Sequence, residues 1–261
     1  RLEATVSKPY GLFYVCGPTG SGKTTTLHSI LKFLNTPDTK IWTAEDPVEI
    51  TQKGLRQVQI NKKAGIDFAL IMRAFLRADP DIIMVGESRD KETVSMGVEA
   101  SLTGHLVFST LHTNDAPSAV TRLMELGVPQ YLINATLLGV LAQRLVRTLC
   151  KQCKVRDEDT TREMLAEMIK PWQINGGFKP YKPVGCVDCR MTGFLGRTGL
   201  YELLTVSDAF KAKVTVDPSI DNLRRQGIAD GMRPLRLAGA LRVAEGLTVM
   251  EEVLTSTPPL S

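Results

Sequence analysis

No apolar run in the chain approaches the length of a membrane-spanning helix, and no secretory leader precedes the first folded segment. Its composition is that of a globular protein, without the bias of a disordered one. A strong charge of one sign is also missing. The formal net charge is only +4 over 261 residues, and Lys and Arg are interspersed with Asp and Glu. Nothing in that balance argues for nucleic acid, which is not expected as a partner. There is no internal repeat and no low-complexity stretch beyond a polar Thr-Ser-Thr-Pro-Pro tail at 255–259. Histidine is scarce, at His28, His105 and His112. An initiating methionine is lacking too: the chain opens on Arg1, as a fragment with an unseen amino-terminal domain would.

What is present is enough apolar sequence for one large or two modest domains. Its organising stretch is Gly17-Pro18-Thr19-Gly20-Ser21-Gly22-Lys23-Thr24, which matches Gly, four residues, Gly-Lys-Ser/Thr. Before it lies the apolar run Leu12–Cys16, suited to a buried strand. Thr25 then opens a helix to Leu34, with Leu27, Ile30, Leu31 and Leu34 at helical spacing. Such a loop cradles phosphate. Its glycines let backbone N–H groups turn toward anionic oxygens, and the new helix offers its positive end. Lys23 is expected at the β- and γ-phosphates of ATP and Thr24 at Mg²⁺, with Thr25 completing the binding set.

Further strands and helices alternate along the chain. A strand at Lys40–Ala44 ends in Glu45, Asp46 and Glu49, where carboxylates face either a ligand or solvent. Leu55–Ile60 alternates as a half-buried strand, and Asp67 caps a helix running to Ala78. Arg73 and Arg77 share one side of that helix, aimed either at phosphate or at water. Ile82–Val85 is apolar throughout and ends in Gly86-Glu87, a buried strand with an acid at its tip. Glu87 is the candidate for positioning the attacking water. After a helix from Asp90 to about Leu102, the strand Leu106–Leu111 is flanked by His105 and His112. His112, beside Thr113 and Asn114, is suited to sensing a γ-phosphate. This alternation predicts an α/β fold with a parallel sheet. Helices are expected at Ala116–Leu126, Gln130–Leu149 and Thr161–Ile169, a strand near Gly196–Leu204, and helices again over 207–254, broken at 217–218, 231–234 and 246.

Of the five cysteines, Cys16 stands apart. Cys150 and Cys153 form one Cys-x-x-Cys pair and Cys186 and Cys189 another, with 32 residues between the pairs. Two such knuckles suit a tetrahedral Zn²⁺ site, which four thiolates would close to chemistry, making it structural. Disulfides and free thiols are the alternatives.

In this arrangement the chain closely resembles the secretion ATPases of bacterial type II secretion and type IV pilus assembly. The resemblance rests on the phosphate loop, the acidic box Thr43-Ala44-Glu45-Asp46-Pro47-Val48-Glu49 and the strand Asp81–Glu87. It rests also on the histidine box from Ala100 to Asn114, the run Leu141–Arg147 and the four cysteines. It implies a RecA-like P-loop core (1–148), a tetracysteine zinc module (149–192), and a return strand with a helical carboxyl-terminal region (193–261). It further implies a cytoplasmic homo-hexamer, peripheral at the inner membrane through a platform protein, whose ATP hydrolysis drives pilus or pseudopilus assembly. Glu87, Glu45, His105 and His112 are the catalytic set that it carries over. Two departures stand out. Ser88 replaces a usually apolar residue, and the arginine-supplying domain that precedes this region in the family is not in the chain, so slow turnover is expected of residues 1–261 alone. The alternatives are a pilus-retraction or DNA-uptake ATPase, or a regulatory nucleotide-binding module that does no mechanical work. Retraction relatives lack the zinc unit.

Overall fold

The computed structural model describes residues 1–260. A short helix, α1 (Leu2–Val6), precedes the first strand, β1 (Gly11–Cys16), every residue of which is buried. Phe13 and Val15 point to one side, where they pack with Val6 and with Leu27, Ile30 and Leu31 of α2 (Lys23–Leu34). A strand covered on both faces reads as a continuous apolar run because neither set of alternating side chains meets water. Burying each of these large side chains contributes about 1.5–3 kcal/mol.

The chain then forms β2 (Ile41–Glu45), β3 (Leu55–Gln59), α3 (Phe68–Phe75), β4 (Ile82–Val85), α4 (Lys91–Leu102) and β5 (Leu106–Leu111). Aspartates cap the helices as expected. Asp67 accepts from Leu70 N and Asp90 from Thr93 N, each at 2.8 Å, which satisfies amides that a helix start leaves without partners. Next come α5 (Ala116–Glu125), α6 (Gln130–Thr136) and β6 (Leu137–Leu149). The last segments are β7 (Val155–Arg156), α7 (Arg162–Met168), β8 (Tyr181–Lys182), β9 (Phe194–Thr205), α8 (Asp208–Val216), α9 (Ile220–Ala229), α10 (Leu235–Ala244) and α11 (Met250–Ser256).

Seven strands make one sheet in the order β3-β2-β4-β5-β1-β6-β9, and β3, β2, β4, β5, β1 and β6 pair in parallel. The α/β fold with its parallel sheet is thus as expected. The single long helix over Gln130–Leu149 is not. Only Gln130–Thr136 is helical, and the remainder is β6. Its Leu and Val spacing fits a buried helix as well as a buried strand, so periodicity cannot separate them. The free flank of β1 decides, where Leu12–Cys16 pair with Leu137–Ala142. Gly139 marks a close approach: a Cβ there would lie 2.7 Å from the Leu204 carbonyl oxygen.

The described chain divides into two compact units, residues 1–142 with 203–232, and residues 143–202 with 233–261. Each is built from two stretches, because β6 leaves the first unit and β9 returns to it. The expected division at 148 and 192 runs along the chain instead. In the second unit, Leu165, Val243, Ala244 and Val253 form one small core and Ile169, Leu237 and Ala240 another. Arg147 grips Glu252 there through Nε (2.9 Å) and Nη2 (2.6 Å). No helix among the described residues is long and apolar enough to cross a membrane.

Candidate active site

Because β2, β4, β5 and β1 are parallel, their carboxyl ends share one edge of the sheet. The register makes this specific: Cys16 lies opposite Leu111, Ser109 opposite Val85, and Val85 opposite Ala44. Gly17, His112, Glu87 and Glu45 therefore leave the sheet at nearly one level, at the edge where ligands bind in open α/β sheets. Neighbouring strands lie about 4.8 Å apart, so the tip of β4 is on the order of 10 Å from that of β1, with β5 between them.

The loop from Gly17 to Thr24 joins β1 directly to α2. Gly17 N is held to Leu111 O at 3.3 Å, and Ser21 N to Pro18 O at 3.3 Å. Gly22 caps α2 with φ at 86°, a conformation that side chains with a Cβ rarely adopt, and as a glycine it offers no capping side chain to the helix start. Those amides suit an anion. Lys23 Nζ donates to Gly17 O (2.8 Å) and Pro18 O (3.0 Å), which sets the ammonium over the loop. Pro18, Thr19, Gly20 and Thr25 are exposed, Thr24 is half-buried and Ser21 is buried. Amides, an ammonium and a helix start fit a triphosphate, and the Thr24 hydroxyl fits the hard-oxygen demand of Mg²⁺.

Glu87, two residues beyond β4, is largely covered, its side chain 17% exposed. Its Oε1 meets His112 Nε2 at 2.7 Å and Arg89 Nε at 2.6 Å. Strand tips are locked around it. Thr110 Oγ1 donates to Gly86 O (2.7 Å), Ser88 N to Thr110 O (3.1 Å), and the hydroxyls of Ser88 and Ser109 share a bond of 2.8 Å. Ser88, where an apolar residue was expected, is accommodated because Ser109 answers its hydroxyl.

Glu45 ends β2 and is buried. Its Oε1 accepts from Thr43 Oγ1 (2.6 Å) and Gln57 Nε2 (3.0 Å), and its Oε2 lies 3.0 Å from His28 Nε2. Burial pushes the carboxyl pKa up, but bonds from His28, Thr43 and Gln57 outweigh it and leave the group below its ordinary value. Glu45 is therefore a carboxylate with both oxygens engaged inside the protein. His28, read from sequence only as a helical histidine, is its partner; the available signal was its place four residues after Thr24 on the phosphate helix.

His105 is not brought to this edge. It precedes β5, where its Nδ1 lies 2.9 Å from Ala100 O, whereas His112 follows β5. A six-residue strand at about 3.3 Å per residue separates the two by roughly 20 Å. Of the two histidines expected in the catalytic set, His112 lies on the Glu87 edge and His105 at the other end of β5. Arg73 also turns elsewhere, to Glu92 Oε1 at 3.0 Å, with both side chains exposed. Arg77, near the same helix end, precedes the amino end of β4.

In the second unit the four paired cysteines converge, all ligand sulfurs lying within 4.8 Å of one another. Cys150–Cys186, Cys153–Cys189 and Cys186–Cys189 are 3.9, 3.8 and 3.7 Å apart. Zn–S bonds of about 2.3 Å in a tetrahedron give sulfur–sulfur edges of about 3.8 Å, so the group fits a metal. None of the five cysteines is in a disulfide. Gly185 N donates to Cys153 Sγ (3.3 Å), and Cys186 N and Gly193 N to Cys189 Sγ (3.1 and 3.2 Å). Burial raises the Cys189 pKa, but the amides of Cys186 and Gly193 and the neighbouring thiols of Cys186 and Cys153 more than reverse it, to about 6, while Cys186 in the same cluster is pushed up to about 11.

The family model described as Type II/IV secretion system protein matches residues 1–255. The chain is 47% identical over 258 residues to the type IV pilus assembly ATPase TfpB of Acinetobacter baylyi, covering 99% of this chain and 44% of that protein. It is 45% identical over 256 residues to the type II secretion system protein HxcR of Pseudomonas aeruginosa, covering 98% of this chain and 50% of that protein. This chain thus spans half or less of these curated relatives. Among solved structures, the pilus retraction motor PilT with bound ADP superposes with a TM-score of 0.72 at 27% identity, covering 98% of this chain and 64% of that one.

Proposed function

The chain belongs to the type II/IV secretion system protein family, and from that membership we propose that it is the ATP-hydrolysing part of a motor for pilus or pseudopilus assembly. One observation carries the chemistry: an amide-lined loop bearing Lys23 shares a sheet edge with the covered carboxylate of Glu87. The loop amides and Lys23 bind the phosphates, and Thr24 holds the metal. Magnesium, when bound, offsets charge on the triphosphate. The Glu87 carboxylate orients the attacking water and accepts its proton, and His112, with Nε2 2.7 Å from Oε1, fixes that carboxylate and is placed to feel the terminal phosphate. His105 has no part at this edge.

The cysteine cluster is proposed to hold one structural Zn²⁺, since four thiolates close the coordination sphere. Higher identity to assembly and secretion relatives than to the retraction motor supports the assembly reading, as does the cluster itself. Homo-hexamer formation, and attachment at the cytoplasmic face of the inner membrane through a platform protein, belong to the same proposal. Titration with a fluorescent ATP analogue, followed by phosphate-release assays on K23A and E87Q, tests the chemistry. K23A is expected to bind about 10- to 100-fold more weakly, and E87Q to keep binding while losing turnover. Full turnover by E87Q would overturn the assignment.

A further inference from the structure

Glu45 and His28 form a buried pair that the proposed hydrolysis does not use. Glu45 is 3% and His28 1% exposed, and Nε2 of the histidine lies 3.0 Å from Oε2 of the glutamate. Because Glu45 is ionised, Nε2 of His28 must carry a proton and donate it. The other carboxylate oxygen is occupied by Thr43 and Gln57, and Gln52 Nε2 donates to the His28 carbonyl oxygen at 2.8 Å. The imidazole is thus tethered to the tip of β2 through its ring, and its backbone to the β2–β3 connection.

His28 lies four residues after Thr24 and five after Lys23 on the same helix. Positions four apart share a helix face, about 6 Å apart along the axis. An anchor on His28 therefore adds to the core packing of Leu27, Ile30 and Leu31 in setting the rotation of α2 about its own axis, and with it the direction of the Thr24 hydroxyl. The loop supplies no such anchor of its own, because Gly22, the residue that caps α2, has no side chain. We infer that Glu45 is a positioning residue that acts through His28, clamping the rotational setting of the phosphate-binding helix so that Lys23 and Thr24 meet a nucleotide already oriented. This assigns the acidic-box glutamate a role inside the protein instead of contact with the metal or the water. It rests on the reading of Gly17–Thr24 as the nucleotide loop.

Three variants of the chain test it. H28L removes the donor while keeping an apolar body of similar size. H28Q keeps an N–H donor. E45Q keeps acceptance from Thr43 and Gln57 at its oxygen, and its amide can donate to an imidazole of the other tautomer. The first readout needs no nucleotide: hydrogen exchange at the amides of 23–28. H28L is expected to speed exchange there at least tenfold without changing β1 or β5, while H28Q and E45Q stay near wild type. The second is the split between KM for MgATP and kcat. H28L is expected to raise KM about fivefold or more with kcat within about twofold, and H28Q and E45Q to leave both within about twofold. A tenfold or larger loss of kcat in E45Q would give Glu45 a chemical role and overturn the clamp. Unchanged exchange and unchanged KM in H28L would overturn it as well. Should H28L fail to fold, E45Q and H28Q still decide between the two roles. Failure of wild type to bind nucleotide, with the exchange effect intact, would sink the proposed function and leave the clamp standing.

Discussion

Glu87 Oε1 and His112 Nε2 lie 2.7 Å apart, a contact between residues just beyond two neighbouring parallel strands. Neither side chain is adjacent to the other in sequence, and the register of β4 with β5 is what joins them. The His112 side chain is 44% exposed, against 17% for Glu87, so the histidine is the half of the pair open to an arriving phosphate.

E87Q removes the proton acceptor while keeping the shape of the side chain. Phosphate release is expected to fall by about 10²–10⁴, the usual worth of a general base, with nucleotide affinity within a few-fold of wild type. H112A leaves Arg89 on Glu87 and should cost less, on the order of tenfold. Steady-state phosphate assays with parallel binding titrations check both, and an H112A loss exceeding that of E87Q would contradict the assigned roles.

K23A deletes an ammonium held over the loop by two carbonyl oxygens. A charge-assisted contact contributes about 1.5–3 kcal/mol, so ATP affinity should weaken about 10- to 100-fold. Calorimetric titration measures it. Affinity within twofold of wild type would mean that Lys23 does not touch the phosphates.

One zinc per chain is expected by elemental analysis of the purified protein. C153S or C186S should release it and lower the melting temperature by about 5–10 °C, because binding energy at such a site is folding energy. Basal nucleotide binding belongs to the first unit and should not change. Metal-free protein with an unaltered melt would remove the structural assignment.

The depressed pKa of Glu45 has a consequence for acid stability. A carboxylate lowered on folding stabilises the native state at pH values above its ordinary value of 4.5, and this contribution is lost as pH falls through the folded-state value. Thermal melts from pH 7 to pH 3 should show wild type losing stability relative to E45Q once the pH drops below 4.5. Parallel curves for the two proteins would show that the carboxylate is not held in its ionised form by folding.

Two serines at the strand tips should behave as a pair. Ser88 and Ser109 are both buried and bonded to each other. S88A leaves the Ser109 hydroxyl without that partner and is expected to cost about 1–3 kcal/mol, part of which S88A/S109A should recover. R73A, by contrast, breaks an exposed ion pair and should cost less than about 1 kcal/mol. Denaturant melts separate these cases.

The amino-acid sequence by itself determined the phosphate loop, the capped helices at Asp67 and Asp90, the buried strands around Phe13 and Ile83, and the pairing of cysteines into two knuckles. Each of these depends on residues close together in the chain, where turn chemistry, capping and apolar spacing act directly. Tertiary structure alone decided the rest. Leu137–Leu149 became a strand because the flank of β1 was open to pair with it, which no local pattern of Leu and Val could announce. His105 and His112 went to opposite ends of one strand, and Glu45 turned its carboxylate onto His28, because sheet register and helix rotation set which distant side chains meet. Contacts of that kind are fixed only when the whole sheet closes on its helices.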